Sequence, residues 1–110
     1  MTTDAFQKTL AKLSAEYRAG LPARMQQIDD LWRGTKSTMP PPQALLRALH
    51  SIAGSARTFG LAELSDAARA AEQLLDSCCE LGQPLPEAAH AEFAMLLDAV
   101  RRAANPRQAI

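Results

Sequence analysis

His50 is the residue of this sequence whose type and setting best suit chemistry. It stands within Ala48–Gly60 (ALHSIAGSARTFG), a segment predicted to be helical, and Gly54 follows it by one helical turn. A neutral imidazole is a nitrogen nucleophile near pH 7. A histidine held in water, with no side chain filling the space beside it, suits a group that accepts a phosphoryl group and passes it on. The simpler interpretation is a surface histidine without a task.

Helical geometry places His50 away from the core of the protein. At about 100° per residue, the apolar face of this helix is centred about 140° from His50. That apolar face consists of Leu45, Leu49, Ile52, Ala56 and Phe59. The residues on the side of His50 are Gln43, Leu46, Arg47, Gly54 and Arg57. The spacing therefore predicts that the imidazole is exposed and has cations in its neighbourhood.

Gly54 is costly at its position and so calls for an explanation. A glycine inside a helix is less favourable than alanine by about 1 kcal/mol, and the chain uses alanine freely elsewhere. Either another molecule approaches the backbone here, or a neighbouring helix of the same chain packs tightly against it. The exposed side of the helix favours an approaching molecule. Leu46, on the same side, would supply the apolar part of a docking surface.

Length and composition exclude several classes of protein. The 110 residues suffice for one domain with a single core. Twelve basic and twelve acidic residues cancel, which argues against a nucleic-acid partner. No apolar run reaches the roughly 20 residues of a membrane span, and the N-terminus lacks the pattern of a signal peptide. The adjacent Cys78 and Cys79 cannot close a loop, so we expect a reducing, cytoplasmic setting.

Composition and periodicity predict helices throughout the chain. Residues that favour helices dominate, and β-branched residues are scarce. We predict helices at about 3–33, 42–59, 61–81 and 86–104. Pro22 either kinks one long first helix or begins a second one. The apolar spacing continues on both sides of Pro22, which favours a nearly continuous, bent helix. The residues of this stripe are Phe6, Leu10, Leu13, Tyr17, Leu21, Met25, Ile28 and Trp32.

The short connections between the later helices predict antiparallel neighbours. One further apolar stripe consists of Leu64, Ala68, Ala71, Leu75 and Cys78. Another consists of Ala89, Phe93, Leu96 and Val100. We therefore predict an all-α fold, an up-and-down antiparallel four-helix bundle with an additional or kinked N-terminal helix. Because the stripes are all assigned to one internal core and the charge is balanced, we expect a monomer.

Other candidate sites are weaker than His50. The histidines and cysteines show no paired spacing typical of a metal site. We expect His90 to be a surface residue, Cys78 to be buried and Cys79 to be partly exposed. The chain also lacks the glycine-rich motifs that bind nucleotides. This absence favours an acceptor of phosphoryl groups over a self-sufficient enzyme.

The segment from His50 to Gly60 resembles the histidine-containing phosphotransfer (HPt) domain family. The family pattern has a histidine, a glycine four residues later, small residues, and an aromatic or apolar residue before a second glycine. Here these are His50, Gly54, Ser55–Ala56 and Phe59–Gly60. The helix that follows is similar to the second core helix of the family. The core motif covers about 46–75, and the helical layout accommodates nearly all of residues 1–110 as one domain.

The resemblance implies a role for Glu72 and exposes a departure at Ala53. An acidic or amide residue twenty-two positions after the histidine commonly accepts a hydrogen bond from the imidazole, and Glu72 stands there. It would fix the proton on Nδ1 and leave Nε2 free to react. An ordinary solvated glutamate is the alternative. The family has a lysine where this chain has Ala53, so positive charge near the phosphoryl group would come from Arg57 or Arg47.

The resemblance also implies a function. The chain would accept a phosphoryl group on His50 from an aspartyl phosphate and pass it to another receiver, without kinase activity of its own. Its partners would be receiver domains of hybrid sensor kinases and response regulators. This chain would need no cofactor, and Mg²⁺ is expected on the partner receiver. The alternative is a degenerate helical adaptor that binds receiver or kinase domains without phosphotransfer, the loss of the lysine being the first sign of degeneration.

Overall fold

The computed structural model describes residues 2–36 and 38–105, and within them all side chains except those of residues 2 and 78–81. These ranges contain α-helices and one short 3₁₀ turn, and no strand. The helices are α1 (Thr2–Arg33), α2 (Gln43–Ala56), α3 (Ala62–Leu81) and α4 (Glu87–Ala104). The prediction of an all-α fold is confirmed. The predicted burial of Cys78 and partial exposure of Cys79 lie outside the described side chains.

The four helices form an up-and-down antiparallel bundle, as predicted. Helix α2 packs against α1 and α3, and α4 packs against α3 and α1. Between α2 and α3, Ser65 contacts Ala53 while Glu72 contacts His50, so the two helices run in opposite directions. Between α1 and α4, Asp29 pairs with Arg101 while Trp32 contacts Phe93, so these two helices also run in opposite directions. None of the helices in the described ranges has the length and apolar composition needed to cross a bilayer.

Helix α1 continues through Pro22 without a break, so the proline does not begin a second helix. Proline removes one backbone hydrogen bond from a helix interior and opposes the carbonyl four residues earlier, here that of Arg18. Both Pro22 and Arg18 are exposed, so water can solvate that carbonyl. On the other side of the helix, Leu21 and Met25 are buried in the core and hold this part of α1 in place.

The core is apolar and receives side chains from every helix. Its residues are Leu21, Met25, Ile28, Leu45, Leu49, Ile52, Ala53, Ala56, Leu64, Ala68, Ala71, Leu75, Leu85, Phe93, Leu97 and Val100. Of the two neighbouring leucines of α4, Leu97 is buried, whereas Leu96, which was predicted to lie in the core, is only half-buried. Leu96 follows Phe93 by three residues and Leu97 follows it by four, and both spacings fit one face of a helix. The packing of α4 on α1 and α3 decides which of the two leucines is buried.

The N-terminal half of α1 extends past the bundle. Its 32 residues make it about 48 Å long, whereas α2 has 14 residues. Phe6, Leu10 and Leu13 are therefore left 67%, 37% and 45% exposed. The assignment of this stripe to the internal core is wrong for these three residues. The expectation of a monomer loses that support.

The 3₁₀ turn Arg57–Phe59 and Gly60 connect α2 to α3. The α-helix that was predicted to reach residue 59 ends at Ala56. The next three residues form the tighter 3₁₀ turn. Gly60 has φ of 80°, in the left-handed region that favours glycine, and its N–H donates to the carbonyl of Arg57. This sharp reversal returns the chain so that α3 lies directly against α2.

Two neighbouring leucines of α4 provide a test of the packing. We expect Leu97→Ala to lower the free energy of unfolding by about 2–5 kcal/mol, because it leaves a cavity in the core. The matched variant Leu96→Ala should cost clearly less, since this side chain is only half-buried. Chemical denaturation of both variants measures the difference. Equal losses would contradict the orientation of α4.

Candidate functional site

His50 is presented on the surface in the middle of α2. Its side chain is 77% exposed, while its neighbours Leu49 and Ile52 are buried in the core. Because these apolar side chains fix the rotation of α2, the imidazole has to face solvent. The predicted exposure of His50 is confirmed.

Glu72, on α3, forms a hydrogen bond with His50. Nδ1 of the imidazole contacts Oε2 of the carboxylate, and Glu72 is only 17% exposed. Glu72 is held by its helix, whose residues Ala71 and Leu75 are buried on either side. A carboxylate in this position favours the tautomer with the proton on Nδ1, which leaves the lone pair on Nε2. The structure thus makes the contact that the family resemblance implies, while the role of Glu72 in phosphotransfer stays a prediction.

Gly54 leaves open space one turn from His50. The residue is exposed, and a Cβ atom built on it would meet no atom within 4 Å beyond its own helix backbone. Tight packing against a neighbouring helix therefore does not explain this glycine. The approach of another molecule to the backbone at Gly54 stays a prediction.

His50 lies in an open depression between α2 and α3. The depression is lined by Leu46, Arg47, His50, Ser51, Glu72 and Asp76. Leu46 is half-buried and also packs against the core, so only part of it is available to a partner. Ser51 and Asp76 were not predicted as site residues from the sequence. Asp76 follows Glu72 by four residues, and this helical spacing could have placed it on the same face.

The two arginines predicted to assist His50 have different surroundings. Arg47 lines the depression around His50, and its guanidinium has no carboxylate partner among the described side chains. Arg57 does not line this depression. It follows directly on the last residue of α2 with α-helical backbone angles, and its guanidinium pairs with Asp66 at 2.6 Å. Whether Arg57 assists His50 stays a prediction.

Ala53 belongs to the core and not to the exposed surface. It is 2% exposed, because α3 approaches α2 closely at this point. The buried hydroxyl of Ser65 donates a hydrogen bond to the carbonyl of Ala53 over 2.5 Å. The assignment of Ala53 to the docking surface is therefore wrong.

Helix α1 brings a second arginine near the site. Arg24 and Gln27 line a groove between α1 and α2, and the other side of this groove includes Arg47 and Ser51. The groove thus adjoins the depression around His50. The guanidinium of Arg24 lies 5.0 Å from the ring centre of Tyr17, a favourable cation–π arrangement. No sequence pattern indicated Arg24, because its position depends on how α1 packs.

The second histidine has a different setting. His90 lies at the surface, as expected, but it is partly covered, with its ring 4.5 Å from the indole of Trp32. In the part of the chain that the structure describes, no group of three or more histidine, cysteine, aspartate or glutamate side chains is placed to hold a metal ion.

The four-helix bundle exposes His50, and the carboxylate of Glu72 on the next helix contacts its Nδ1. This is the architecture of a histidine phosphotransfer module. The family model of the Hpt domain matches residues 12–103, and the chain belongs to this family. Hpt domains are phosphocarrier modules of two-component signalling and are not kinases. Comparison with curated proteins and with solved structures finds no significant match.

The contact between His50 and Glu72 makes a prediction for the imidazole tautomer. At a pH where the ring is neutral, ¹⁵N NMR should show the proton of His50 mainly on Nδ1. We expect Glu72→Ala to remove this preference, because the acceptor of that proton is lost. Glu63→Ala, which removes an exposed glutamate from the first turn of the same helix, should leave the tautomer unchanged. The same tautomer in both variants would mean that Glu72 does not orient the ring.

Proposed function

We propose that this protein is a phosphorelay intermediate that receives a phosphoryl group on His50 from the aspartyl phosphate of one receiver domain and passes it to another. The observation that carries this proposal is the exposed imidazole whose Nδ1 is bonded to the half-buried Glu72. This arrangement supports Nε2 as the reacting atom. The family supports phosphotransfer in general, and the choice of His50 comes from the geometry.

In the transfer step, the lone pair of Nε2 attacks the phosphorus of the aspartyl phosphate. The bond between phosphorus and the aspartyl oxygen breaks as the N–P bond forms, and the aspartate leaves as a carboxylate. No proton has to leave, because the neutral imidazole already has its lone pair on Nε2. The ring becomes cationic and keeps its proton on Nδ1, where the carboxylate of Glu72 stabilises the new charge. The reverse sequence returns the phosphoryl group to a second receiver.

Arg47 is the best-placed cation for the phosphoryl group. It lines the same depression as His50, and its charge is not used by an ion pair within the described residues. Phosphoryl transfer depends mainly on positioning and on stabilisation of negative charge. We therefore assign to Arg47 the part of the family lysine that Ala53 replaces.

The receiver domain is the partner expected to approach the surface around Gly54. The absence of a side chain there lets the partner come close to the backbone of α2, and Leu46 offers a limited apolar contact. We expect Mg²⁺ to be bound by the receiver and not by this chain. A cytoplasmic location and the lack of nucleic-acid and membrane partners remain predictions.

A helical adaptor is the second candidate function. The buried Ala53, in the position of the family lysine, favours it because the local positive charge is reduced. Such an adaptor would bind receiver or kinase domains stoichiometrically and transfer nothing. The two functions differ in whether His50 becomes modified.

Incubation with phosphorylated receiver domains tests the proposal. We expect the wild-type protein to gain an acid-labile, alkali-stable phosphoryl group from a cognate receiver, because a phosphorylated nitrogen has this stability pattern. His50→Gln should gain no label, while His90→Gln should be labelled as the wild type is.

Two outcomes would contradict phosphotransfer at His50. One is the absence of label on the wild-type protein with every receiver encoded near its gene. The other is equal labelling of His50→Gln. Receiver binding that survives in His50→Gln, with no labelling of the wild type, would establish the adaptor.

The two arginines form a matched pair for testing the source of positive charge. We expect Arg47→Ala to slow transfer about tenfold, since it removes one charge that stabilises the transition state. Arg57→Ala should change the rate much less, because its guanidinium pairs with Asp66. Rapid-quench measurement of both variants decides, and the reverse order of effects would contradict the assignment of Arg47.

A further inference from the structure

The groove between α1 and α2 carries two positive charges that the described side chains leave unneutralised. We name it the cationic groove. Its lining residues are Arg24, Gln27, Ile28, Ala44, Arg47, Ala48, Ser51 and Ile52, and none of these is acidic. Neither arginine has an ion-pair partner among the described side chains. Both charges are therefore open to an anionic group from another molecule.

The sequence around each arginine explains why its charge stays unpaired. Ion pairs on a helix form between residues three or four positions apart. No residue at those distances from Arg24 or Arg47 is acidic. By contrast, Arg33 on the same helix as Arg24 pairs with Asp30, three residues earlier. The positive charge of the groove is thus a property of the sequence and does not depend on one side-chain conformation.

Arg24 is held in place by an aromatic side chain. Its guanidinium carbon lies 5.0 Å from the ring centre of Tyr17. Tyr17 is itself fixed, because its ring stacks on Phe59 and its hydroxyl is 2.7 Å from that of Ser55. A guanidinium that contacts the face of a ring keeps most of its five N–H donors free for a carboxylate. Arg24 therefore loses less freedom on binding an anion than a fully solvated arginine does.

The charges on the two sides of His50 have opposite signs. The depression that holds His50 shares Arg47 and Ser51 with the cationic groove. On the side of α3, the same depression is lined by Glu72 and Asp76. A partner placed over His50 thus meets positive charge towards α1 and negative charge towards α3. An acidic region of that partner is attracted to the side of α1.

A receiver domain that reaches His50 has to cover the cationic groove. A protein–protein contact of about 600–800 Å² per partner extends about 14–16 Å from its centre. The axes of packed helices are about 8–10 Å apart, so the part of α1 beside His50 lies within this radius. The receiver has to bring its aspartyl phosphate to Nε2 of His50, and in this respect the inference rests on the proposed function.

The chemistry of the receiver supplies the complementary charge. Its docking face carries an aspartyl phosphate and the expected Mg²⁺ site. Proteins bind Mg²⁺ through carboxylates together with phosphate oxygens. The docking face is therefore rich in anionic groups, and it is the partner that fits a groove with two unpaired arginines.

We propose that Arg24 binds a carboxylate of the receiver domain that docks over His50, so that the cationic groove selects receivers with an acidic residue at this place. Arg47 lies beside the imidazole and acts on the phosphoryl group. Arg24 lies on the neighbouring helix and contributes to docking alone. Arg24 is thus a specificity-determining residue and takes no part in the transfer step.

The dependence of the transfer rate on receiver concentration tests this role. We expect Arg24→Ala to raise the half-saturating concentration of the receiver about five- to tenfold, because one charge pair of the interface is lost. The maximal rate should stay unchanged. Arg18→Ala is the matched control and should behave as the wild type does. Arg18 is exposed on the same helix, about 120° from Arg24, and does not line the groove.

Binding without transfer separates this inference from the proposed function. In a His50→Gln background, titration calorimetry with the unphosphorylated, Mg²⁺-loaded receivers encoded near the gene measures docking alone. Adding Arg24→Ala should weaken the binding and make it less sensitive to salt. Unchanged affinity overturns the inference and leaves phosphotransfer at His50 intact. Binding that depends on Arg24, without labelling of the wild type, overturns phosphotransfer and leaves the inference intact. Absence of binding to all these receivers overturns the inference.

Charge reversal identifies the carboxylate on the receiver. Arg24→Glu should bind more weakly than Arg24→Ala, because two carboxylates then face each other. One acidic-to-lysine substitution on the docking face of the receiver should restore binding to Arg24→Glu and weaken binding to the wild type. If no such substitution restores binding, the proposed contact is wrong. Circular dichroism should show the same helix content in all variants, since Arg24 is exposed.

Discussion

The close approach of α2 and α3 is the constraint on which the site depends. Where the buried hydroxyl of Ser65 bonds to the carbonyl of Ala53, the two helices are held in one register. Because the helices run in opposite directions, the same register brings Glu72 against His50. A lysine side chain at position 53 would have to leave this tightly packed region, whereas an alanine fits within it.

The site combines an exposed imidazole with a carboxylate that is mostly covered. The imidazole of His50 is open to solvent, so another macromolecule can reach it, while the carboxylate of Glu72 that contacts it is 17% exposed. A carboxylate in contact with Nδ1 favours the tautomer with the proton on that atom. Open space at Gly54 and the positive charge of Arg47 lie near the imidazole.

The sequence predicts those features that depend on periodicity within one helix. The exposure of His50, the core face around Leu49 and Ile52, and the antiparallel bundle all follow from apolar spacing and short connections. Features that depend on how helices meet were missed. The choice of Leu97 over Leu96, the burial of Ala53 and the position of Arg24 in the groove beside the site are of this kind. So is the ion pair of Arg57 with Asp66, because the carboxylate comes from α3.

Two parts of α1 differ in their support. From Tyr17 onwards the bundle holds the helix, with Leu21 and Met25 buried in the core on either side of Pro22, whereas residues 3–13 are exposed. The projecting part can therefore unfold and refold without the bundle, and its amide hydrogens should exchange through local opening, not through global unfolding. In a helix that is continuous in structure, cooperativity thus ends before Tyr17 and not at the proline.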